Sequence, residues 1–376
     1  MHTKRYAIFF PQFNQIEVNN HAWGYGFTDW ILVATANAFD YWRRRAPAVG
    51  YYDLSEPEAF TAQVEMALNR GIEGFGIYHY WFEDGSELGA VERHLSQLRL
   101  PEKFGYFFIW ANESWTKRWA GKDTDILKKV SPSPTRDQIS SHVKYLKPFM
   151  ESKSYTTVSN RPLFVIYRPE CFREPDQTLK YYRQEFNKVG VNPLIGYFVK
   201  STLDTDYATS YDFCYLFEPR LFFNCSGLRK SKFIHSAYRW LLRSIDYSKA
   251  EYLSEKVGRY LMGKSKSYSF SNFLEYFCSN DRKRFIESIR CPVQNVLTCG
   301  WNNAPRYREN FTELEVPTRE QFLRMLSSSL ANAGRPFDYP LLCNAWNEWS
   351  EGASIEPCQY LGDVLVDTYM SDHCVK

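Results

Sequence analysis

The fold class this sequence predicts is α/β, a (β/α)₈ TIM barrel with a helical, basic insertion between its sixth and seventh strands. Three observations lead there. Short apolar and aromatic runs recur along the 376 residues, near-continuous in hydrophobicity rather than alternating, as parallel strands buried on both faces are. Helical periodicity fills several of the intervals between them, which is the pattern of βαβ units. The first run ends in Pro11-Gln12-Phe13-Asn14, where a doubly wound nucleotide-binding sheet would place a glycine-rich phosphate turn.

In order, the runs are Tyr6–Phe13, Gly74–Phe82, Phe104–Asn112, Pro162–Pro169, Leu194–Val199, Asp212–Pro219, Val293–Asn303 and Leu341–Trp349. Among the helical intervals, Pro57–Arg70 sets Phe60, Val64, Ala67 and Leu68 on one face and stops at Gly71. Thr135–Met150 and Thr318–Gly334 read alike, the latter with Phe322, Met325, Leu326 and Leu330 in phase. Leu221–Cys291 is the exception, about seventy residues of helical and basic character. Barrel-like sequence resumes at Val293, so this stretch is read as an insertion within one catalytic domain covering residues 1–376. There is no internal repeat and no low-complexity tract.

Composition narrows the function. Aromatic residues make up 18% of the chain, with 11 Trp, 27 Tyr and 28 Phe. Flat apolar faces with polar edges suit sugar rings, although each ring taken alone fits a core equally well. Nine Cys without a C-x-x-C pair or regular spacing argue against a disulfide framework or zinc knuckle, and for a reducing compartment. The N-terminal residues run straight into a strand pattern, with no signal-peptide core or membrane span, so a cytoplasmic location is expected.

The net charge of +3 conceals fourteen Lys/Arg against six Asp/Glu between Ser226 and Arg290. Within that block Phe233, Ile234, Ala237, Tyr238, Leu241, Leu242 and Ile245 repeat at helical spacing, with Lys232, Arg239 and Arg243 beside them. Such a helix can lie on an anionic membrane, bringing a lipid-linked glycan within reach, or pack on the barrel with its charges in water. Nucleic acid is the least supported partner, and binding to it would fall steeply with salt.

Active sites of this fold are built on the C-terminal ends of the strands. The predicted ends carry Gln12; His79, Tyr80 and Trp81; Asn112 and Glu113; Tyr167 and Arg168; Glu218; Trp301 and Asn302; and Asn347, Glu348 and Trp349. Carboxylates, amides and aromatics on one rim are what a glycan site needs, and each singly is equally explained as a cap or loop anchor. The strongest local signal is Trp346-Asn347-Glu348-Trp349-Ser350-Glu351-Gly352. Two carboxylates leaving a buried strand between aromatics have at least one pKa raised, the arrangement of a glycosidic acid/base pair. Alternatively one Glu pairs with Arg168 or Arg306. Asp123-Thr124-Asp125 and Asp204-Thr205-Asp206 match a short metal-binding pattern that arises easily by chance, and the seven His lack ligand spacing. No metal or cofactor is expected.

Long ordered blocks carry a family resemblance: Phe10-Pro11-Gln12-Phe13, Trp23-Gly24-Tyr25-Gly26-Phe27-Thr28-Asp29-Trp30, Gly76-Ile77-Tyr78-His79-Tyr80-Trp81-Phe82, Trp110-Ala111-Asn112-Glu113-Ser114-Trp115-Thr116, Pro162–Pro169, Gly300–Arg306 and Asn344–Pro357. On these the chain resembles the WbsX-type glycosyltransferases of bacterial surface-polysaccharide clusters, relatives of glycoside hydrolase family 99. The hydrolase family resembled has a (β/α)₈ fold and cleaves internal α-mannosidic bonds without a metal, retaining configuration. Its Asn-Glu-Trp-x-Glu-Gly motif matches Asn347–Gly352. The resemblance implies Glu348 as the base assisting the substrate's 2-hydroxyl and Glu351 as general acid/base. It leaves transfer in polysaccharide biosynthesis, hydrolysis by an endo-α-mannosidase-like enzyme, and a non-catalytic glycan-binding barrel as the three readings.

Overall fold

Eight strands form the barrel: β1 (Arg5–Phe9), β2 (Gly74–His79), β3 (Gly105–Trp110), β4 (Arg161–Ile166), β5 (Leu194–Val199), β6 (Phe213–Phe217), β7 (Val293–Thr298) and β8 (Leu341–Asn344). Each runs parallel to both neighbours; β3 bonds to β4, and β8 returns to β1, so the sheet has no free edge. The computed structural model describes residues 3–36, 46–117, 122–202, 204–226, 266–307, 311–331 and 339–371. Every strand coincides with a predicted run. All the runs but Leu194–Val199 overshoot the C-terminal end of their strand, because the residues there belong to the loops that follow it.

Helices α1 (Glu17–Trp23) and α2 (Asp29–Thr35) lie in the long β1–β2 connection ahead of α3 (Pro57–Asn69). The outer layer continues with α4 (Ala90–Gln97), α5 (Arg136–Met150) and α6 (Pro175–Lys188). After β6 come α7 (Arg220–Ser226), α8 (Phe270–Phe277) and α9 (Asn280–Ser288), then α10 (Arg319–Ala331) and α11 (Val364–Tyr369). Local chemistry sets the helix ends. Thr135 and Gln138 form a capping box at the start of α5, with bonds of 3.2 and 2.9 Å. Past α3, Gly71 takes φ +86°, a left-handed conformation that glycine adopts without strain.

The structure describes only the two ends of the predicted insertion. Within the expected insertion Leu221–Cys291, Phe270, Phe273 and Phe277 of α8 are buried. The amphipathic run Phe233–Ile245 lies outside the described residues. Among the described residues, no helix is long and apolar enough to cross a membrane, and every cysteine is free.

Strand parity determines which side chains reach the mouth. Successive residues point alternately inward and outward. On β2, Gly74 and Gly76 face the barrel interior, where an added Cβ would meet Tyr6 and Phe107 respectively. Phe75 faces outward with Phe9, whose ring packs on Phe60 of α3. Continuing the alternation sends Tyr78 inward and His79 outward. Tyr78 indeed meets Tyr167, which follows β4, at 5.9 Å, although β3 separates their strands; the two rings meet across the top of the barrel.

The seam between β1 and β8 is locked by the last helix. The Tyr369 hydroxyl donates to Leu341 O (2.7 Å) and Tyr6 O (3.0 Å), and Arg5 Nη1 donates to Tyr369 O (2.9 Å).

Candidate active site

Beyond β8 the chain makes a small hairpin, Asn347–Glu348 pairing antiparallel with Ala353–Ser354. Its turn is a single 3₁₀ turn, Trp349–Glu351, closed by Gly352 at φ +62°. The hairpin is held from three sides. Asn347 clamps the backbone of Phe10, accepting from its N–H (2.7 Å) and donating to its carbonyl (2.9 Å). Trp346 Nε1 donates to Gln63 Oε1 of α3 (2.7 Å). Glu356 takes three hydrogen bonds: from Trp349 Nε1 (2.6 Å) and Tyr52 Oη (3.0 Å) on one oxygen, and from Gln63 Nε2 (3.1 Å) on the other. Burial pushes the Glu356 carboxyl up to about 7 against those three bonds.

Glu348 and Glu351 meet on one guanidinium. Arg306 Nη2 donates to Glu348 Oε1 (2.9 Å) and to Asp29 Oδ2 (2.9 Å), while Nη1 donates to Glu351 Oε1. Ser350 Oγ donates to Asp29 Oδ2 (2.7 Å), tying α2 to the hairpin turn. Three carboxylates therefore share one cation in a largely dry setting. Burial raises Glu348 well above the carboxylate range, partly opposed by Arg306 and reinforced by Glu351 and Asp29. Burial works against the charge on Arg306, yet Glu351, Asp29 and Glu348 hold it protonated. The expected pairing of one Glu with Arg306 is thus present, and extends to both.

Tyrosines line the mouth beside the two glutamates and across from them. Burial raises the hydroxyls of Tyr78, Tyr80 and Tyr167; Glu348 adds to the first two and Glu351 to Tyr78 and Tyr167. Glu113 and Arg168 form an ion pair beside them. Tyr80, Tyr167, Arg168 and Glu113 therefore lie around one mouth with Glu348 and Glu351.

Several predicted rim residues are committed elsewhere. His79 and Trp81 have outward parity: His79 is fully buried between Glu92 (2.9 Å) and His142 (2.8 Å), and Trp81 stacks on His142. Glu218 is fully buried on Arg282 of α9 (3.3 Å) and caps Phe222 N (3.1 Å). Asn112 clamps the backbone of Arg168, Asn302 bonds to Glu313 and the Ala304 N–H, and the Trp349 indole is taken by Glu356. These amides hold loops rather than offering themselves to hydroxyls. Gln12 donates to Leu88 O (3.0 Å), while its buried Oε1 has no hydrogen-bond partner among the described residues. Trp301 is buried beneath Arg220, whose guanidinium lies 5.1 Å from the ring centroid. Of the short acidic patterns, Asp204 caps the backbone N–H groups of Lys200 (2.7 Å) and Ser201 (2.8 Å). Asp29 and Tyr78 were not singled out from sequence; parity along β2 would have found Tyr78, whereas Asp29 lies in a loop helix without periodic signal.

The family model described as glycosyltransferase WbsX matches residues 5–368. The chain belongs to the WbsX glycosyltransferase family. It is 26% identical over 373 residues to the uncharacterized protein WxcX of Xanthomonas campestris pv. campestris, in strain B100 and equally in strain ATCC 33913. That alignment takes in 96% of this WbsX-family chain but only 48% of its relative, so the chain spans about half the length of the relatives it matches. Among solved structures, a GH99 endo-alpha-mannosidase from Bacteroides thetaiotaomicron in complex with bis-tris propane superposes with a TM-score of 0.55. The overlap covers 98% of this chain and 96% of that one at 12% identity. A glycoside hydrolase-like protein superposes equally well, at TM-score 0.55 and 12% identity, over 98% and 94% of the two chains. At such identities the likeness is one of fold, the closed (β/α)₈ barrel.

Proposed function

We propose that this WbsX-family barrel is a carbohydrate-active enzyme that remakes glycosidic bonds with retention, using Glu348 and Glu351. The observation that carries the reading is their convergence, from one hairpin on the C-terminal face, on Arg306 beside Tyr78, Tyr80 and Tyr167. Glu348, buried and raised, is a stronger base than an ordinary carboxylate once ionised, as needed to take a proton from a weakly acidic sugar hydroxyl. In the first step the sugar's 2-oxygen bonds to C1 as Glu348 accepts its proton, and the C1–leaving-oxygen bond breaks as Glu351 donates one. In the second, an acceptor hydroxyl gives its proton to Glu351 and attacks C1, the ring opens, and Glu348 returns the first proton to the 2-oxygen. Two inversions give net retention, and no step requires a metal.

Family membership favours transfer during bacterial surface-polysaccharide assembly, with an oligosaccharide or polysaccharide as substrate. Water in place of the acceptor gives hydrolysis, which the barrel's likeness to endo-alpha-mannosidases keeps as the second reading. A mass-spectrometric screen of mannose- and rhamnose-containing oligosaccharides separates the two by product mass. Glu351→Gln should lower turnover by roughly 10²-fold or more. Unchanged turnover in that variant refutes the pair; ligand binding with no turnover in wild type leaves a glycan-binding barrel.

A further inference from the structure

The mouth is electrically polarised. Asp29, Glu348 and Glu351 gather on the β8 side around the single guanidinium of Arg306. Across the mouth, cations surround the ring of Tyr167: Lys200 Nζ lies 4.8 Å and the Arg168 guanidinium 5.6 Å from its centroid. Both are neutralised, Lys200 by Glu170 (3.0 Å) and Arg168 by Glu113. Arg282, nearby on α9, is bound to Glu218.

Arg220 differs from all of these. It follows β6, at the C-terminal face, and its charge is felt at Tyr167 together with that of Glu351. It is half-buried, and its guanidinium lies over the ring of Trp301, just beyond β7. Among the described residues no carboxylate pairs with it. Stacking occupies only the face of a guanidinium and leaves the N–H groups in its plane as a fork that fits two oxygens of one anion. A partly desolvated cation with no carboxylate partner among the described residues is unfavourable by itself, and a ligand anion is what would complete it.

We propose that Arg220 forms a subsite for an anionic group on the glycan, a uronate carboxylate or a phosphate, beside Trp301 on the β6–β7 side of the mouth. The proposal rests on the glycan-active reading above and names its substrate class. One end of an acidic glycan would lie on Arg220 while the bond to be remade lies at Glu348 and Glu351. Neutral mannan would leave the arginine unmatched.

The test compares wild type with Arg220→Gln and Arg220→Lys, using tryptophan fluorescence and calorimetry at low salt. The probes are methyl mannoside, glucuronate, mannose 1-phosphate and inorganic phosphate. Wild type should bind at least one acidic sugar about 10-fold more tightly than methyl mannoside, the gain of a charge-assisted forked contact. Arg220→Gln should abolish that advantage without weakening methyl mannoside, and Arg220→Lys should retain part of it. Glucuronate alone gaining affinity identifies a uronate; mannose 1-phosphate alone identifies a phosphate. Phosphate bound through Arg220 with no sugar bound keeps the anion site and removes the glycan reading. Equal affinity for neutral and acidic sugars in wild type, or an equal loss of both in Arg220→Gln while the variant melts as wild type does, overturns the proposal.

Discussion

Replacing Glu356 by Gln isolates the energetic consequence of one buried charge beside the hairpin. The carboxyl is raised from 4.5 to about 7 by burial, so the folded protein holds its proton more firmly than the unfolded chain. A raised carboxyl contributes stability that is complete below about pH 4.5 and lost as pH rises through about 7. At about 1.4 kcal/mol per unit of pKa, that loss reaches roughly 3 kcal/mol by pH 8. Gln is the right comparison because it resembles the protonated acid. Either neutral form presents one acceptor fewer to Trp349, Tyr52 and Gln63, and Gln63 cannot turn away because Trp346 holds its oxygen. Urea denaturation of both proteins between about pH 5 and 8 should find them close at the acid end, with Gln gaining about 3 kcal/mol on wild type toward the alkaline end. Parallel stability curves would falsify the reasoning, because the three donors would then fully offset burial and Glu356 would titrate as an ordinary carboxyl.

Other outcomes follow from the same site. Arg306→Met strands Asp29, Glu348 and Glu351 without their shared cation; the cost should be about 3–5 kcal/mol near neutrality and shrink in acid, whereas a loss below about 1 kcal/mol would mean these carboxyls are not paired in solution. Activity, once a substrate is found, should survive exhaustive EDTA treatment; restoration by Mn²⁺ or Mg²⁺ would return Asp204 and Asp206 to consideration as ligands. If the basic block is a membrane contact, anionic vesicles should sediment the protein at low salt, and deletion of residues 226–290 should abolish this; an absence of binding by the intact chain assigns the block to another role.

The barrel was legible because its strands are buried on both faces, leaving dense apolar runs that no surface element imitates. Glu348 and Glu351 were legible for a related reason, as carboxylates set among tryptophans at the end of such a run. What the runs concealed was their direction in space. His79-Tyr80-Trp81 reads as one aromatic cluster, yet alternation sends Tyr80 to the carboxylates and its neighbours to His142 and Glu92. Asn112 and Asn347 resembled hydroxyl binders because an amide that clamps a backbone and one that binds a sugar have the same composition. Arg306 joins Asp29 to Glu348 across more than three hundred residues, a relation that only folding creates.

The closing of β8 onto β1 also carries a consequence in time. Registered against Arg5, Tyr6 and Ala7 are Leu341, Leu342 and Cys343, so the first strand leaves the ribosome long before its last partner is made. At roughly 5–20 residues per second, β1 waits some tens of seconds with one edge unpaired. Such an edge invites pairing with other nascent chains. Glu348 and Glu351 are translated just after that final strand, and Arg306 and Asp29 await them. A partly made chain therefore lacks the cluster in which Arg306 holds Asp29, Glu348 and Glu351 together.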